Sequence, residues 1–498
     1  MTDAGELVRL EATLDDAGVC GSIESLLPTG GRRRQLPVRT LLLGIMLALS
    51  DHRPAHLTRV HRALVALPES DRWRLCVTVA WKGGPHLLTY RQTERTFSLV
   101  VTALERAEPN GTPSDLLADV IDAMVEASVP ARFKNASGAV AVDWSDMESF
   151  ARGPLVGGGE TADTEASWGH RRGNGPGQKD ESFFGYFLQA ATMVGEEEGP
   201  PVPELARRIS VTSCDHDPPQ VFVRVLERMA RSGIVIGDVL ADSGYAHRRP
   251  EHWAVPLRRL GASLVQDHHP HDRGPKGTYY GATISNGNLY CPATPEALLA
   301  LGPLARDATA DRTLAHDAQT QELARYKFGA VTAGDADGYR RVGCPATQGK
   351  LRCPLRPASL SLSVDHPEVL SPPLSPPPCC CQRTITVAPA VHAKTAQKHD
   401  YPSKAHRKSY ARRTSVERTF STAKDPATND ISHGWCRVMG TTAVTLFVAC
   451  LFVVRNDRVV RAFEIRQAEN EKRTAAGLPP RTRRRRRRPL ADLVSAPP

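Results

Sequence analysis

The chain has 498 residues, enough for two to four domains, and its 64 Lys and Arg against 54 Asp and Glu give a net charge of +10. Its acidic, polar start does not resemble a secretory signal, and its longest mostly apolar run, 443–454, is too short to cross a bilayer. Eleven cysteines without such a signal favour reduced thiols or metal binding over disulfides, so we expect a cytoplasmic protein without a membrane partner.

Residues 1–130 show the periodicity of helices. Apolar residues are dense in 38–51 and recur at helical spacing in the segments that follow, until Pro130 ends the last of them. The pattern predicts a helical N-terminal domain. Nothing in it separates a binding role from a packing or dimerisation role.

The character of the sequence changes at Ser137, where a short apolar run predicts a buried strand that ends in Asp143. Asp146 is the alternative acidic residue, but it falls beyond the apolar run, in a predicted loop. Two further segments, 182–194 and 206–213, have strand propensity. Together they predict an antiparallel meander of three strands.

Helix and strand then alternate. Residues 218–233 begin with proline and end with glycine, which predicts an amphipathic helix, and 234–246 predicts a buried strand followed by a glycine turn. This alternation favours a parallel strand added to the meander. Asp242 ends that strand, whereas the alternative, Asp238, lies inside the apolar run. Residues 252–267 repeat the order of helix and strand.

Residues 281–382 predict a loop-rich insertion. Three of its cysteines precede prolines and three more are consecutive, but no C-x2-4-C pair occurs, so the pattern leaves a structural zinc site open without favouring one. Three histidines within 267–272 are more typical of a surface loop than of a metal site.

Positive charge is concentrated near the C-terminus. Residues 394–413 contain seven basic residues against one acidic, and 471–490 contain nine against one. Charge concentrated in this way indicates a polyanionic partner. Residues 466–498 are rich in Pro and Arg and predict a disordered tail, either solvated or bound to phosphates.

The most specific pattern lies in residues 409–425, in the spacing Y-x2-R-x3-E-x6-K. Its four residues are Tyr410, Arg413, Glu417 and Lys424. On one continuous helix capped by Ser409, these side chains would share a single face, because each residue advances about 100°. A helix in a soluble protein usually places apolar residues on such a stripe. A carboxylate between cations there indicates function more than a solvated ion pair.

This pattern resembles the signature around the catalytic glutamate of DDE transposases encoded by bacterial insertion sequences. The residues from Asp242 to Tyr245 are similar to the D-x-G-Y that follows the second aspartate in that family. The resemblance implies an α/β fold with an RNase H-like mixed sheet flanked by helices and interrupted by the insertion. The core would comprise 131–280 and 383–465, and the helical N-terminal domain would bind DNA ends or serve packing.

The resemblance also implies a site for phosphoryl transfer assisted by two metal ions. The catalytic residues and metal ligands would be Asp143, Asp242 and Glu417. Carboxylates suit hard cations, so Mg²⁺, or Mn²⁺ in its place, is the expected cofactor. The residues expected to contact DNA are Tyr410, Arg413 and Lys424.

These expectations predict a transposase that cleaves DNA and transfers the freed strand. Its partners would be double-stranded DNA, namely the element's terminal repeats and the target, and a second copy of the chain in a homodimer on DNA. Binding to DNA would associate the protein with the nucleoid. The alternatives are an RNase H-fold nuclease without strand transfer and a catalytically inactive DNA-binding derivative.

Overall fold

The computed structural model describes residues 4–30, 34–51, 54–105, 115–154, 159–171, 179–305, 307–335, 338–425, 431 and 434–481. Within these ranges the protein is a mixed α/β structure in which helices flank a mixed sheet. No helix in the same ranges combines the length and the apolar character that crossing a membrane requires. Most of the Arg-rich tail, residues 482–498, lies outside the described residues.

The N-terminal segment is largely helical. Its helices are α1 (Ala4–Ala17), α2 (Val19–Leu26), α3 (Val38–Ser50), α4 (Leu57–Val65), α5 (Glu69–Arg74), α6 (Tyr90–Glu105), α7 (Asp115–Ala127) and α8 (Ala131–Lys134). A hairpin of β1 (Thr78–Trp81) and β2 (Gly84–Leu87) interrupts them, which the helical periodicity did not indicate. Its turn residues, Lys82 and Gly83, have φ values of 47° and 80°, as a two-residue hairpin turn requires.

The central sheet has six strands in the described residues. They are β3 (Val140–Glu148), β4 (Ser167–Arg171), β5 (Glu181–Met193), β6 (Ala206–Ser213), β7 (Asp238–Ala241) and β8 (Ser263–Gln266). The predicted meander is present, since β3, β5 and β6 pair antiparallel, and β7 and β8 continue the sheet in parallel. The order across the sheet is β6–β5–β3–β7–β8, with β4 paired to the other end of β5.

Strand β3 is longer than its apolar run predicts. It pairs with β5 as far as Glu148, and this partner keeps the chain extended through Asp146. The parallel pairing with β7, by contrast, covers only Val140 and Ala141. Asp143 therefore lies two residues beyond the end of the β3–β7 pairing and not at a strand tip. The prediction that Asp146 lies in a loop is wrong.

Three helices separate the last strands along the chain. α9 (Pro218–Arg231) comes between β6 and β7, and α10 (Ser243–Ala246) and α11 (Ala254–Arg259) come between β7 and β8. As the sequence predicts, α9 begins at paired prolines and ends before Gly233, whose φ is 83°. α9 and α11 pack on the face of the sheet that carries Val140 and Val142. Apolar burial on this face holds β3 and β7 side by side.

The insertion contains two small sheets and its own apolar core. Its elements are β9 (Pro275–Tyr279), β10 (Ala282–Ser285), β11 (Asn288–Tyr290), α12 (Glu296–Leu299), α13 (Ala310–Arg325), β12 (Gly329–Ala330), β13 (Arg340–Gly343), α14 (Pro378–Cys381) and β14 (Thr384–Val387). β9 pairs with β10 and β14 pairs with β13, so both belong to the insertion and not to the central sheet. The predicted bounds of 281–382 are therefore too narrow, because strand propensity alone does not tell which sheet a strand joins.

After the insertion the chain returns along the edge strand β8. The Lys398 backbone N–H donates to the Leu264 carbonyl oxygen (3.0 Å), and the Gln266 backbone N–H donates to the Gln397 side chain (2.7 Å). His268, predicted to lie on the surface, is fully buried, with Nε2 3.1 Å from the Thr395 carbonyl oxygen. The returning segment therefore covers the edge of the sheet.

The single helix predicted over residues 409–425 is two helices. They are α15 (Lys404–Tyr410) and α16 (Thr414–Ala423), joined by a 3₁₀ turn at Ala411–Arg413. Ser403, not Ser409, caps α15, since its hydroxyl accepts from the His406 backbone N–H (3.2 Å). At the other end, the Arg412 side chain donates to the Ser409 carbonyl oxygen (3.1 Å).

The last described helix, α17 (Thr441–Ala475), is 35 residues long. Its first half is buried and shares one apolar core with α16, the N-terminal helices and the second face of the sheet. The prediction of a disordered tail from residue 466 is wrong for 466–475, which are helical. This stretch is rich in Ala, Glu, Gln, Lys and Arg, which have high helix propensity even when exposed.

Candidate active site

Three acidic side chains that the sequence singled out come together beyond the β3–β7 pairing. Asp143 belongs to β3, Asp242 directly follows β7, and Glu417 lies in the first turn of α16. α16 packs against β3 and β5, which carries Glu417 to the sheet. Asp143 is close enough to both of the other carboxylates to be repelled by them.

Arg413 lies among these carboxylates. Its Nη1 donates to Asp143 Oδ2 (3.1 Å) and its Nη2 donates to Glu417. The side chain of Arg413 is 12% exposed, whereas that of Glu417 is 50% exposed. Burial lowers the pKa of Arg413, but Tyr410 and the carboxylates outweigh it, so the pKa is raised overall. Arg413 is therefore the positive charge that offsets the carboxylates in this arrangement.

The surroundings of Asp143 destabilise the ionised form of its carboxyl group. Burial raises its pKa to about 7 and repulsion from Asp242 adds to the rise, against the opposing effect of Arg413. The Trp144 backbone N–H also donates to Asp143 Oδ1 (2.9 Å). A carboxylate held near other carboxylates in this way gains stability from an added cation.

The donor chemistry of the site fits a hard divalent cation, because all three side chains offer carboxylate oxygens. Among the described residues, however, no group of three or more His, Cys, Asp or Glu side chains is arranged so that it could hold a metal ion. Arg413 takes the place between Asp143 and Glu417. Mg²⁺ or Mn²⁺ at this site stays a prediction.

The cysteines of the insertion pack as small apolar side chains. Those buried in its core are Cys291, Cys344, Cys353 and Cys379. Burial raises the pKa of Cys291 to about 12, which favours the thiol over the thiolate that binds zinc. Zinc binding by these cysteines stays an open prediction.

Asp146 differs from Asp143 in having two cationic partners. Its Oδ2 accepts from Arg171 (2.8 Å) and its Oδ1 accepts from Lys424 (2.9 Å). Burial would raise the pKa of Asp146, but Lys424 and Arg171 lower it overall. Asp146 is thus neutralised within the protein, as an ion pair and not as one of the clustered carboxylates.

Asp238 is also ion-paired. Its side chain is 5% exposed and its Oδ2 accepts from Lys398 (2.9 Å) and Arg412 (2.6 Å). Both cations lie on the segment that leads into the site, so Asp238 ties that segment to β7. Its position within the strand and its partners indicate a structural role.

Glu197 contacts the same segment. It accepts from the Ser409 hydroxyl (2.7 Å) and lies 2.8 Å from His399 Nε2. Burial raises its pKa, but hydrogen bonds from Ser409, His399 and Lys398 outweigh that effect and lower it to about 2. The sequence does not distinguish Glu197 from its neighbours Glu196 and Glu198, so no local signal could have identified it.

Aromatic packing positions the two aspartates. The rings of Trp144 and Tyr245, which follow Asp143 and Asp242 in sequence, lie 4.8 Å apart at their centroids. Tyr245 is fully buried and packs also on Trp253, at 4.7 Å. The predicted glycine turn after β7 is instead the short helix α10, which places Tyr245 against the ring of Trp144.

Tyr410 and Lys424 border the site and have partners within the protein. The Arg413 guanidinium lies 5.7 Å from the centroid of the Tyr410 ring, and burial raises the pKa of Tyr410 to about 12. Lys424 is paired with Asp146. Contact of either side chain, or of Arg413, with DNA stays a prediction.

Much of the basic segment 394–413 is neutralised internally. Its paired cations and their partners are Lys394 with Asp272, Lys398 and Arg412 with Asp238, Arg407 with Asp317, and Arg413 with Asp143. Lys404 and Lys408 are exposed. The charge of this segment therefore helps to hold the site together.

The chain matches no protein-family model and no curated protein. The function must therefore be inferred from the chemistry of the site.

Proposed function

We propose that the protein is a DDE transposase, which cleaves DNA strands in a metal-dependent reaction and joins the freed 3′ end to target DNA. The observation that carries the proposal is that Arg413 contacts both Asp143 of β3 and Glu417 of α16, while Asp242 directly follows β7, the parallel neighbour of β3. The strand order β6–β5–β3–β7–β8, with a meander followed by two parallel strands, supports an RNase H-like core.

The three carboxylates would serve the proposed reaction as metal ligands. Phosphodiesters resist attack because the phosphate is anionic and the departing oxygen is a poor leaving group. A pair of divalent cations, when bound, activates the attacking oxygen and stabilises the leaving one. Asp143, Asp242 and Glu417 would hold these cations.

Cationic side chains of the same helix segment would position the DNA. Arg413 can donate two parallel hydrogen bonds to one phosphate, whereas Lys424 offers a single charge. The Arg413 guanidinium lies over the ring of Tyr410, 5.7 Å from its centroid. Because two element ends must be cut and joined, the active species would be a homodimer on DNA.

Strand transfer is the reaction that separates a transposase from a nuclease. With a labelled DNA fragment that carries the sequences flanking this gene, a target plasmid and Mg²⁺, we expect label joined covalently to the plasmid. The freed 3′-hydroxyl can act as the next nucleophile in the same site, which is the physical reason for joining. Gel electrophoresis of the deproteinised products measures it, with EDTA as the control.

Other outcomes of this assay identify the alternatives. Cut fragments that are never joined would indicate an RNase H-fold nuclease. Binding without any cleavage, in either Mg²⁺ or Mn²⁺, would indicate an inactive DNA-binding derivative.

Deleting residues 482–498 should weaken nonspecific binding to DNA. The deletion removes the six arginines 483–488. Each phosphate neutralised contributes about −0.9 to the slope of log K against log salt concentration, so the slope should become shallower by up to about 5. Fluorescence anisotropy across a salt series measures it. Deleting only 489–498, which contains no basic residue, is the matched control, and equal slopes for both deletions would show that the arginines do not touch DNA.

A further inference from the structure

A cavity of about 680 Å³ lies where α11 meets the insertion. Basic side chains from three separate segments line it. They are Arg258 and Arg259 of α11, Arg340 of β13 and His392 of the segment that returns to β8. The fold therefore places several basic side chains around this one cavity.

The two arginines Arg258 and Arg340 are partly buried without a carboxylate partner among the described residues. Arg258 donates to the Ala396 carbonyl oxygen (2.8 Å), and Arg340 Nη2 lies 3.4 Å from His392 Nε2. Burial lowers the pKa of Arg258 to about 10, and repulsion from Arg340 contributes. Asp335 also lines the cavity, where its carboxylate accepts from the Tyr339 backbone N–H (2.8 Å).

Arg455 is buried with carbonyl, amide and hydroxyl oxygens as its acceptors, but other buried arginines among the described residues have acidic partners. Arg207 and Arg208 both pair with Glu126, and Arg412 pairs with Asp238. Pairing is the usual condition for burying a charge, because desolvation is otherwise costly. Arg258 and Arg340 therefore line this cavity without the ion pair that Arg207, Arg208 and Arg412 have.

His392 holds Arg340 at the cavity as a neutral acceptor. A guanidinium can only donate, so His392 Nε2 must accept. Burial lowers the pKa of His392 to about 4, with Arg340 and Arg258 adding to the effect, which agrees with a neutral ring. His392 has a φ of 45°, an uncommon conformation for a residue other than glycine, and such strain is often found at binding sites.

We propose that this cavity binds a phosphate group, with Arg258 and Arg340 as its donors. The guanidinium fork matches phosphate oxygens in geometry, and the bound anion would remove the repulsion between the two arginines. The phosphate can belong to a DNA backbone or to a small free ligand. The cavity is independent of the three carboxylates, so the proposal does not depend on catalysis.

The first arm of the test uses inorganic phosphate. The full chain should unfold at a higher temperature in phosphate than in chloride at equal ionic strength. The double variant R258Q/R340Q should lose this increase, and isothermal calorimetry should show phosphate affinity reduced at least tenfold. The control K276Q removes one exposed charge from the insertion and should behave like the parent.

The second arm identifies the source of the phosphate. If it is a DNA backbone, duplex affinity should fall at least tenfold in R258Q/R340Q relative to K276Q, and phosphate should compete for binding. If it is a free ligand, the two variants should bind DNA equally while only the double variant loses phosphate. A double variant that retains the parent's circular dichroism, phosphate response and DNA affinity would overturn the proposal. The single variant R340K, which keeps charge but not the fork, should bind phosphate with intermediate affinity.

Discussion

Replacing Asp143 or Asp242 by Asn, or Glu417 by Gln, should each reduce metal-dependent strand cleavage by about a thousandfold or more, which corresponds to about 4 kcal/mol of transition-state stabilisation. Each change keeps the size of the side chain and removes the charge that would hold a divalent cation. DNA affinity should stay within about twofold, because these carboxylates do not attract phosphate. Cleavage of supercoiled plasmid and anisotropy with labelled duplex measure the two effects.

Asp146 provides the matched control for this prediction. It lies on the same strand as Asp143, but its charge is already neutralised by Arg171 and Lys424. D146N should therefore retain most of the cleavage activity. An inactive D146N together with an active D143N would reverse the assignment. Calorimetric titration with Mg²⁺ gives a readout without catalysis, since D143N should bind the ion more weakly than D146N.

Replacing Asp238 by Ala should reduce the free energy of unfolding by about 3–5 kcal/mol, the usual cost of removing one partner from a buried ion pair. The change removes one of the two carboxylates that Lys398 and Arg412 share, the other being Glu197, and the side chain of Arg412 is only 14% exposed. Urea unfolding followed by circular dichroism measures the loss.

Asp242, four residues further on, is the control for that experiment. Its carboxylate accepts only from the Gly244 backbone N–H (2.9 Å) among the hydrogen bonds described, as a helix cap, so D242A should cost about 1 kcal/mol. Removing Arg412 should cost less in D238A than in the parent, because the two residues act as a pair. Equal losses from D238A and D242A would contradict the structural role of Asp238.

The sequence predicts the parts of the fold that depend on local pattern. Apolar runs locate the meander, and the prolines and glycine around α9 locate its ends. The extension of β3 through Asp146 could not be predicted in this way, because it depends on pairing with β5. The turn at Ala411–Arg413 likewise accompanies contacts of Arg412 with distant residues, which helical spacing does not contain.

The candidate site shows the same division. Spacing along the chain identifies the carboxylates and Arg413, because their types and order are visible in the sequence. It does not show that Asp238 and Asp146 are neutralised, since their partners Lys398 and Arg171 are distant in the chain. Glu197 is the clearest case, because only the fold distinguishes it from two identical neighbours.

The covered edge of β8 has a consequence for how this protein can change over evolutionary time. The chain leaves the sheet at Gln266 and is hydrogen-bonded to the same strand again at Gln397 and Lys398. The points at which the chain leaves the sheet and returns to it are therefore adjacent on β8. The insertion between them occupies the place in the fold that a short loop could occupy. The entropy of closing such a connection grows only with the logarithm of its length. Modules of very different size can thus be exchanged at this point while the strand order stays the same.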